Sequence, residues 1–271
     1  MKISQSIFVA AWVLFYPLHA ALEWEIVIPT YNNQRWCIKN IESLIEQTYP
    51  FWHATIIVDC ATDNTQQLLE EYIQKHHLEE KISLVINKKN RGALYNIYHA
   101  VHACAPHKVI GLLDGDDWFK HDKVLEHLTH VYEKQDIWLT YGQFELWPEN
   151  RTGHCHAYPQ DIIKANTFRY LRGTLPSHFR TFYAWLFQRI DKKDLLYQGK
   201  FFPVTWDLAI MFPMIEMAGE HHAFIKEVLY VYNIDNPLND FKEHTQLQAE
   251  LDFYIRTKKR YTPLHKNPFI S

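Results

Sequence analysis

Short apolar runs alternate with helical patterns between Trp24 and Leu113, and this alternation constrains the fold more than any other feature of the sequence. The runs are rich in β-branched residues and have the length of buried strands. Strands that alternate with helices predict right-handed crossovers and a parallel sheet. We therefore expect an α/β fold with a Rossmann-like, mainly parallel sheet flanked by helices. The predicted strands are residues 25–29, 54–58, 82–86 and 109–113, and the predicted helices are residues 33–48, 62–73 and 92–104.

The second half of the sequence is less regular. Helical patterns at 121–134 and 207–218 predict two helices, and apolar runs at 138–141 and 229–232 predict two strands. Residues 143–180 combine aromatic, proline and basic residues without a clear period. No low-complexity linker separates the halves, so we expect them to pack together. The predicted division is one domain at 23–235, with halves at 23–118 and 119–235, and a C-terminal extension at 236–271.

Residues 1–20 have the pattern of a secretory signal peptide. Lys2 precedes an apolar run from Ile7 to Leu18, and the small residues Ala20 and Ala21 offer a cleavage position. We expect cleavage after Ala20 and a secreted or exported protein. An uncleaved membrane anchor is the first alternative, and a segment packed into the fold is the second.

Charge and cysteine usage exclude several classes of protein. Lys and Arg number 28 against 31 Asp and Glu, a formal net charge of −3. A general nucleic-acid binder carries a basic excess, so we expect no nucleic-acid partner. The four cysteines are scattered and form no C-x-x-C pair, which argues against a disulfide scaffold and a structural zinc site. The sequence also lacks the glycine-rich phosphate loops of P-loop and dinucleotide-binding proteins.

Three polar segments follow predicted strands and should meet at one edge of the sheet. They are residues 29–32 (PTYN), 59–62 (DCAT) and 114–117 (DGDD). Three carboxylates within four residues repel one another unless a cation or strong donors neutralise them. Hard oxygen ligands suit Mg²⁺ or Mn²⁺, which also bridge phosphate oxygens. An acidic turn that leads into the next helix is the alternative interpretation.

Four segments together resemble a known enzyme family. Residues 27–32 (VIPTYN), 58–65 (VDCATDNT), 90–96 (NRGALYN) and 113–117 (LDGDD) are similar, in this order, to the motifs of family 2 glycosyltransferases. The last segment matches the D-x-D-D metal motif of that family. The resemblance covers residues 24–118 and implies a GT-A fold.

Two positions depart from the family pattern. Cys60 stands where the family usually has a second Asp, and Tyr95 stands where an Arg is frequent. The second change removes a positive charge near the expected phosphates. Lys88, Lys89 and Arg91 could replace this charge, or they could be solvated loop cations.

The resemblance implies transfer of a sugar from a nucleotide-sugar, in particular a UDP-sugar, with Mn²⁺ or Mg²⁺ as cofactor. The acceptor would be a carbohydrate, a lipid or a protein. The family's Q-x-x-R-W motif is missing, which favours a non-processive reaction, and the reaction is expected to invert the sugar. The first half would bind the donor and the second half the acceptor. The implied donor-binding residues are Pro29, Tyr31, Asp59, Asn96 and Asp114, the implied metal ligand is Asp116, and the implied catalytic base is Asp207.

Asp207 follows Trp206 at the place where the family usually has a Glu-Asp pair at the start of a helix. An inverting transfer needs a carboxylate to take the proton of the acceptor hydroxyl. The alternative is an Asp that stabilises the helix dipole. In that case Asp191, Asp194 and Glu216 are the next candidates for the base.

Two other interpretations of the whole protein stay open. A catalytically silent carbohydrate-binding or exported interaction protein would keep this fold without turnover. A nucleotidyltransferase would begin with a glycine-rich phosphate loop, which the N-terminal half lacks. His178 and Arg180 lie among aromatic residues and are candidates either for acceptor or phosphate contacts or for packing.

Overall fold

The computed structural model of the protein describes residues 21–171, 176–239 and 244–269. The predicted signal peptide or anchor at residues 1–20 lies outside the described residues. Within the described ranges, no helix has the length and apolar content that crossing a membrane requires.

A nine-stranded sheet forms the centre of the described structure. Its strands, side by side, are β3 (Ile82–Asn87), β2 (Trp52–Asp59), β1 (Trp24–Thr30), β4 (Val109–Leu112), β8 (Arg180–Tyr183), β6 (Leu139–Trp147), β11 (His222–Asn233) and β5 (Trp118–Phe119), with β7 (Arg151–Thr152) paired to β6. Strands β9 (Leu196–Tyr197) and β10 (Lys200–Phe201) form a separate ribbon.

Most strands of this sheet point the same way. Strands β1 to β4 are parallel to their neighbours among themselves. Strand β8 is antiparallel to both β4 and β6, so β6 and its parallel partner β11 share the direction of β4. The carboxyl ends of these six strands therefore lie along one edge, where ligands bind in sheets of this kind.

Helices cover both faces of the sheet. They are α1 (Cys37–Ile45), α2 (Thr65–Lys75), α3 (Ala93–Ala103), α4 (Val124–Lys134), α5 (Gln160–Ala165), α6 (Ala184–Gln188), α7 (Trp206–Ala218) and α8 (Thr245–Thr257). Val27 of β1 packs into one core with α3, α6, α7 and α8, whereas Ile26 and Ile28 pack into another with α1, α2 and α4. Successive strand residues face opposite sides, so the two cores lie on opposite faces. The predicted fold class is confirmed.

Helix α7 crosses the second half as a core element. Of its 13 residues, 12 are buried, and the exception is Asp207 in the first turn. A helix that is apolar all round is a buried helix, and this one continues through Pro213. Asp207 is therefore the polar side chain that α7 presents at its N-terminal end.

Two strands of the second half are longer than the sequence predicts. Strand β6 extends from the predicted 138–141 to Trp147, and β11 begins at His222 rather than near residue 229. The register between them shifts between Ile225 and Tyr230. A bulge of this kind interrupts the alternation of inward and outward residues, which hides the strand from a pattern search.

The described part of the segment predicted as a C-terminal extension packs against α7. Leu251 and Ile255 of α8 lie in the same core as α7. Buried Arg169 donates to Ile255 O at 2.7 Å and to both oxygens of Glu216 on α7, at 2.5 and 2.8 Å. Because all of these groups are buried and paired, α8 and α7 are fixed to one another.

Candidate active site

A cleft of about 280 Å³ opens at the carboxyl edge of the sheet. The convergence expected of parallel strand ends is present, because polar segments after β1, β2 and β4 share this cleft. Asn96 and Asp207 lie near it without lining it. The sequence-predicted residues that line it are Pro29, Tyr31, Asp59, Asp114 and Asp116.

The backbone carbonyls of the acidic turn after β4 accept hydrogen bonds from within the turn and from helix α1. Asp117 N–H donates to Asp114 O at 3.0 Å. Asn40 Nδ2, from α1, donates to the same carbonyl at 2.9 Å and to Asp117 O at 2.7 Å. Gly115 lies directly against Thr30, and a Cβ at this position would overlap the threonine side chain. Glycine is therefore required between the aspartates for this close approach.

Asp117 has a structural role that its sequence context does not reveal. It is fully buried, and its carboxylate accepts the hydroxyl of Tyr230 and the N–H of Asn233, both at 2.7 Å. Burial, together with the nearby carboxylates of Asp116 and Asp114, raises the pKa of Asp117 well above its ordinary value. Asp117 thus joins the acidic turn to the end of β11.

Asp117→Ala is expected to lower the free energy of unfolding by about 2–4 kcal/mol, since two buried donors would lose their acceptor. Urea unfolding followed by circular dichroism measures this change. Asp116→Ala is the matched control and should cost much less, because that side chain is partly exposed in the cleft. Equal stability of the two variants would contradict the structural role of Asp117.

Asp114 and Asp116 present their carboxylates to the cleft. Asn236 Nδ2 donates to Asp116 Oδ2 at 2.7 Å, and burial raises the pKa of Asp116. The backbone N–H of Asp114 donates to Tyr230 Oη at 3.1 Å. The strand β11 and the loop after it therefore hold both residues in place.

A group of three side chains fits a divalent cation. Asp114, Asp117 and His178 each offer one ligand atom, and these atoms lie within 4.8 Å of one another. Burial, with the neighbouring Arg180 adding to it, lowers the pKa of His178 well below its ordinary value. The imidazole is therefore neutral, as ligation of a metal requires. Asp116, the predicted metal ligand, lies outside this group of three but lines the same cleft.

Asp59 holds the loop between β3 and α3. It is buried, and its oxygens accept the N–H groups of Arg91 and Gly92 at 2.7–3.0 Å and Asn87 Nδ2 at 2.8 Å. Gly92 has a φ of 82°, which favours glycine over other residues. Asn96 is buried and accepts from Asn87, so it supports Asp59 indirectly.

The remaining predicted donor residues come from the end of β1. Tyr31 is 40% exposed at the mouth of the cleft, and Pro29 O accepts the N–H of Gly115 at 3.2 Å. Of the loop cations, Arg91 places its guanidinium 5.3 Å from the ring centroid of Tyr95. Among the described residues that line the cleft there is no Lys or Arg.

Asp207 lies beside the cleft on the side of the second half. Arg180 Nη2 donates to Asp207 Oδ2 at 2.9 Å, and the Asp207 side chain is 32% exposed. Its neighbour Trp206 lines the cleft. Asp207 is therefore partly exposed beside the cleft rather than within it.

The other three candidates for the catalytic base, Asp191, Asp194 and Glu216, do not line the cleft. Glu216 is fully buried in its ion pair with Arg169. Asp191 pairs with Lys193 at the surface at 2.7 Å, and neither it nor Asp194 lines the cleft.

Sequence reasoning missed two asparagines that organise the site. Asn40 fixes the acidic turn, and Asn33 joins the end of β1 to the loop after β11 by donating to Thr30 Oγ1 at 3.0 Å and accepting Asn236 Nδ2 at 3.3 Å. Asn40 lies on the buried face of α1. A polar residue on an apolar helix face needs a partner, and this signal could have identified it.

A larger groove of about 710 Å³ lies between α3 and strands β2 and β3. Its buried carboxylate, Glu25, accepts from His53 and Thr55 at 2.8 Å and from Lys108 at 3.2 Å. These polar groups are hydrogen-bonded to one another and are therefore less available to bind a ligand than the carboxylates of the smaller cleft.

Comparison with known proteins decides the family. The family model described as "Glycosyl transferase family 2" matches residues 25–195, more than half of the chain. The chain belongs to glycosyltransferase family 2. The predicted family is confirmed, and Asp207 lies beyond the matched range.

Relatives within this family differ in how much of the chain they match. EpsE of Bacillus subtilis, named as a glycosyltransferase, is 23% identical over 86% of this chain and 86% of its own. WfgD of Escherichia coli, named as a UDP-Glc:alpha-D-GlcNAc-diphosphoundecaprenol beta-1,3-glucosyltransferase, is 28% identical over 51% of each chain. TuaG of Bacillus subtilis, named for teichuronic acid biosynthesis, is 29% identical over 40% of this chain and only 42% of its own.

Two solved structures confirm that the fold is GT-A. TarS of S. aureus in complex with UDP-GlcNAc aligns with a TM-score of 0.60 and 13% identity, over 86% of this chain and 64% of that one. The mannosyltransferase PcManGT of Pyrobaculum calidifontis, in complex with GDP-Man and Mn²⁺, aligns with a TM-score of 0.58 and 16% identity, over 88% and 66%.

Proposed function

We propose that this protein is a metal-dependent glycosyltransferase that moves a sugar from a UDP-sugar to an acceptor hydroxyl. The observation that carries this proposal is the convergence of Tyr31, Asp59, Asp114 and Asp116 in one cleft at the carboxyl edge of a GT-A sheet. Tyr31 offers an exposed ring for a nucleotide base, and Asp59 fixes a neighbouring loop.

The charge of the cleft supports the metal requirement. Three carboxylates line it, and none of its described lining residues is Lys or Arg. A nucleoside diphosphate is an anion, so its binding here without a cation would bring like charges together. Asp114 and His178, from the group of three described above, and Asp116, the predicted ligand in the same cleft, would hold Mn²⁺ or Mg²⁺. When bound, such an ion stabilises the charge that develops on the leaving diphosphate.

Asp207 is the proposed general base. Its carboxylate takes the proton of the acceptor hydroxyl, whose oxygen bonds to the anomeric carbon. The bond from that carbon to the diphosphate oxygen breaks, and UDP leaves with the electron pair. Attack opposite the leaving group inverts the anomeric centre. Trp206, beside Asp207, offers an aromatic surface of the kind on which sugars pack.

The names of similar proteins support a UDP-sugar more than other donors. WfgD is named for UDP-Glc and TarS binds UDP-GlcNAc, whereas PcManGT binds GDP-Man. The missing processive motif supports release of the product after one transfer. The apolar segment at residues 1–20 supports export or anchoring in a membrane.

A donor screen tests the proposed function. The purified protein is incubated with UDP-glucose, UDP-galactose, UDP-GlcNAc and GDP-mannose in the presence of Mn²⁺, and the released nucleoside diphosphate is measured. We expect release from a UDP-sugar and its loss with EDTA. Binding of UDP without release from any donor would favour a silent binding protein. Release of pyrophosphate from UTP and a sugar phosphate would favour a nucleotidyltransferase.

A further inference from the structure

Arg180 is a buried cation on the acceptor side of the site. Its side chain is 4% exposed, and its strand is fixed between β4 and β6, in register with Leu112. Burying a guanidinium costs free energy unless its donors find partners. Arg180 Nη2 donates to Asp207 Oδ2 at 2.9 Å, Nη1 lies 3.2 Å from His178 Nδ1, and Nε donates to Pro176 O at 3.4 Å.

The contact with Arg180 fixes one oxygen of the Asp207 carboxylate. Helix α7 begins after Thr205, which has a φ of 57° and does not cap the helix with its side chain. The guanidinium carbon of Arg180 also lies 5.8 Å from the ring centroid of Trp206. Arg180 occupies Oδ2 of Asp207, and within the described residues Oδ1 accepts no hydrogen bond. Oδ1 is therefore the oxygen free to face an acceptor hydroxyl.

We propose that Arg180 is a positioning residue for Asp207 and acts on acceptor activation rather than on donor binding. This inference rests on the proposed function, in which Asp207 is the base. Arg180 does not line the donor cleft, and its side chain contacts Asp207 and His178. His178, a proposed metal ligand, is also held by stacking on Tyr230 and Tyr232, so we assign the effect of Arg180 on the rate to the Asp207 carboxylate. Its planar fork holds one carboxylate oxygen in a fixed direction, which a lysine ammonium does less well.

A double-mutant cycle tests the inference. The variants are Arg180→Met, Asp207→Asn and the two combined, and the rate is UDP release from the active UDP-sugar, with water as acceptor. We expect Arg180→Met to lower kcat about 10- to 100-fold, because small misplacement of a reacting group has effects of that size. In the Asp207→Asn background, the same change should lower kcat by less than about threefold, since residues that act as a unit are not additive.

Two further variants and a binding measurement complete the cycle. Arg180→Lys keeps the charge and loses the fork, so it should give an intermediate kcat, and it replaces Arg180→Met if that variant does not fold. Arg189→Met is the matched control, because Arg189 is exposed and packs on Trp185 away from the cleft. Its kcat should equal that of the wild type. The Kd for UDP with Mn²⁺, measured by calorimetry, should be unchanged in every variant.

The outcomes separate the inference from the function on which it rests. Equal losses from Arg180→Met in both backgrounds would overturn positioning and leave Asp207 as the base. Weaker UDP binding with unchanged kcat would assign Arg180 to the donor phosphates and overturn the inference. A wild-type kcat in Asp207→Asn would overturn the proposed base itself.

Discussion

Replacing Asp116 with alanine is expected to abolish sugar transfer and to weaken UDP binding in the presence of Mn²⁺, while the protein stays folded. Loss of one group that stabilises the leaving group's charge typically costs about 10²–10³-fold in kcat. Asp116 makes one hydrogen bond to Asn236, and its removal relieves repulsion with Asp114 and Asp117. The melting temperature should therefore stay the same or rise slightly.

Calorimetry with UDP, with and without Mn²⁺, measures the binding part of this prediction. Asp122→Ala is the matched control, because Asp122 is exposed and lies outside the cleft. If the ion is held by the group of Asp114, Asp117 and His178 alone, Asp116→Ala would keep Mn²⁺-dependent UDP binding and His178→Asn would lose it. Transfer that persists unchanged in EDTA would contradict the metal requirement for both arrangements.

The convergence of the strand ends that form the proposed donor side could be predicted, because each of its parts is local. Every βαβ unit places a strand, a polar segment and a helix within about thirty residues, so the period of the apolar residues reveals the strand end. The parallel arrangement then brings Pro29, Asp59 and Asp114 to one edge. No distant contact had to be known for this step.

The side of the site that β11 and the loop after it form depends on contacts that no local sequence pattern shows. Asp117 and Tyr230 are 113 positions apart in the sequence, and Asp116 and Asn236 are 120 apart. The bulge in β11 interrupts the alternation that would have indicated the full strand. The sequence predicts a late strand and turn at residues 230–237 that border the site, but no local pattern shows that Tyr230 and Asn236 bond to the acidic turn.

The sequence also cannot assign different roles to identical residue types. The three aspartates of the acidic turn look equivalent, yet Asp117 is fully buried and accepts two donors, whereas Asp114 and Asp116 line the cleft. Burial and hydrogen-bond partners divide them into one structural and two candidate binding residues. The partnership of Arg180 with Asp207 is likewise visible only in three dimensions.

Replacing Asp207 with asparagine is expected to lower kcat about 10²–10⁴-fold, which is roughly 3–5 kcal/mol in the barrier. The amide keeps the shape of the side chain, and its oxygen can still accept from Arg180, but it cannot take a proton at neutral pH. The affinity for UDP should barely change, because Asp207 does not line the cleft that we propose for the donor.

A helix-dipole role for Asp207 would give a different pattern of results. Asn lacks the negative charge that stabilises a helix N-terminus, a contribution of about 0.3–1 kcal/mol, so the melting temperature would fall slightly while kcat would stay close to the wild type. Asp161→Asn is the matched control, since Asp161 is an exposed aspartate in the first turn of α5. Measuring kcat, the UDP Kd and the melting temperature for both variants separates the two roles. A near-wild-type kcat would remove Asp207 from the mechanism. Because Glu216 is occupied by Arg169 and neither Asp191 nor Asp194 lines the cleft, the carboxylates of the cleft would be the next candidates for the base.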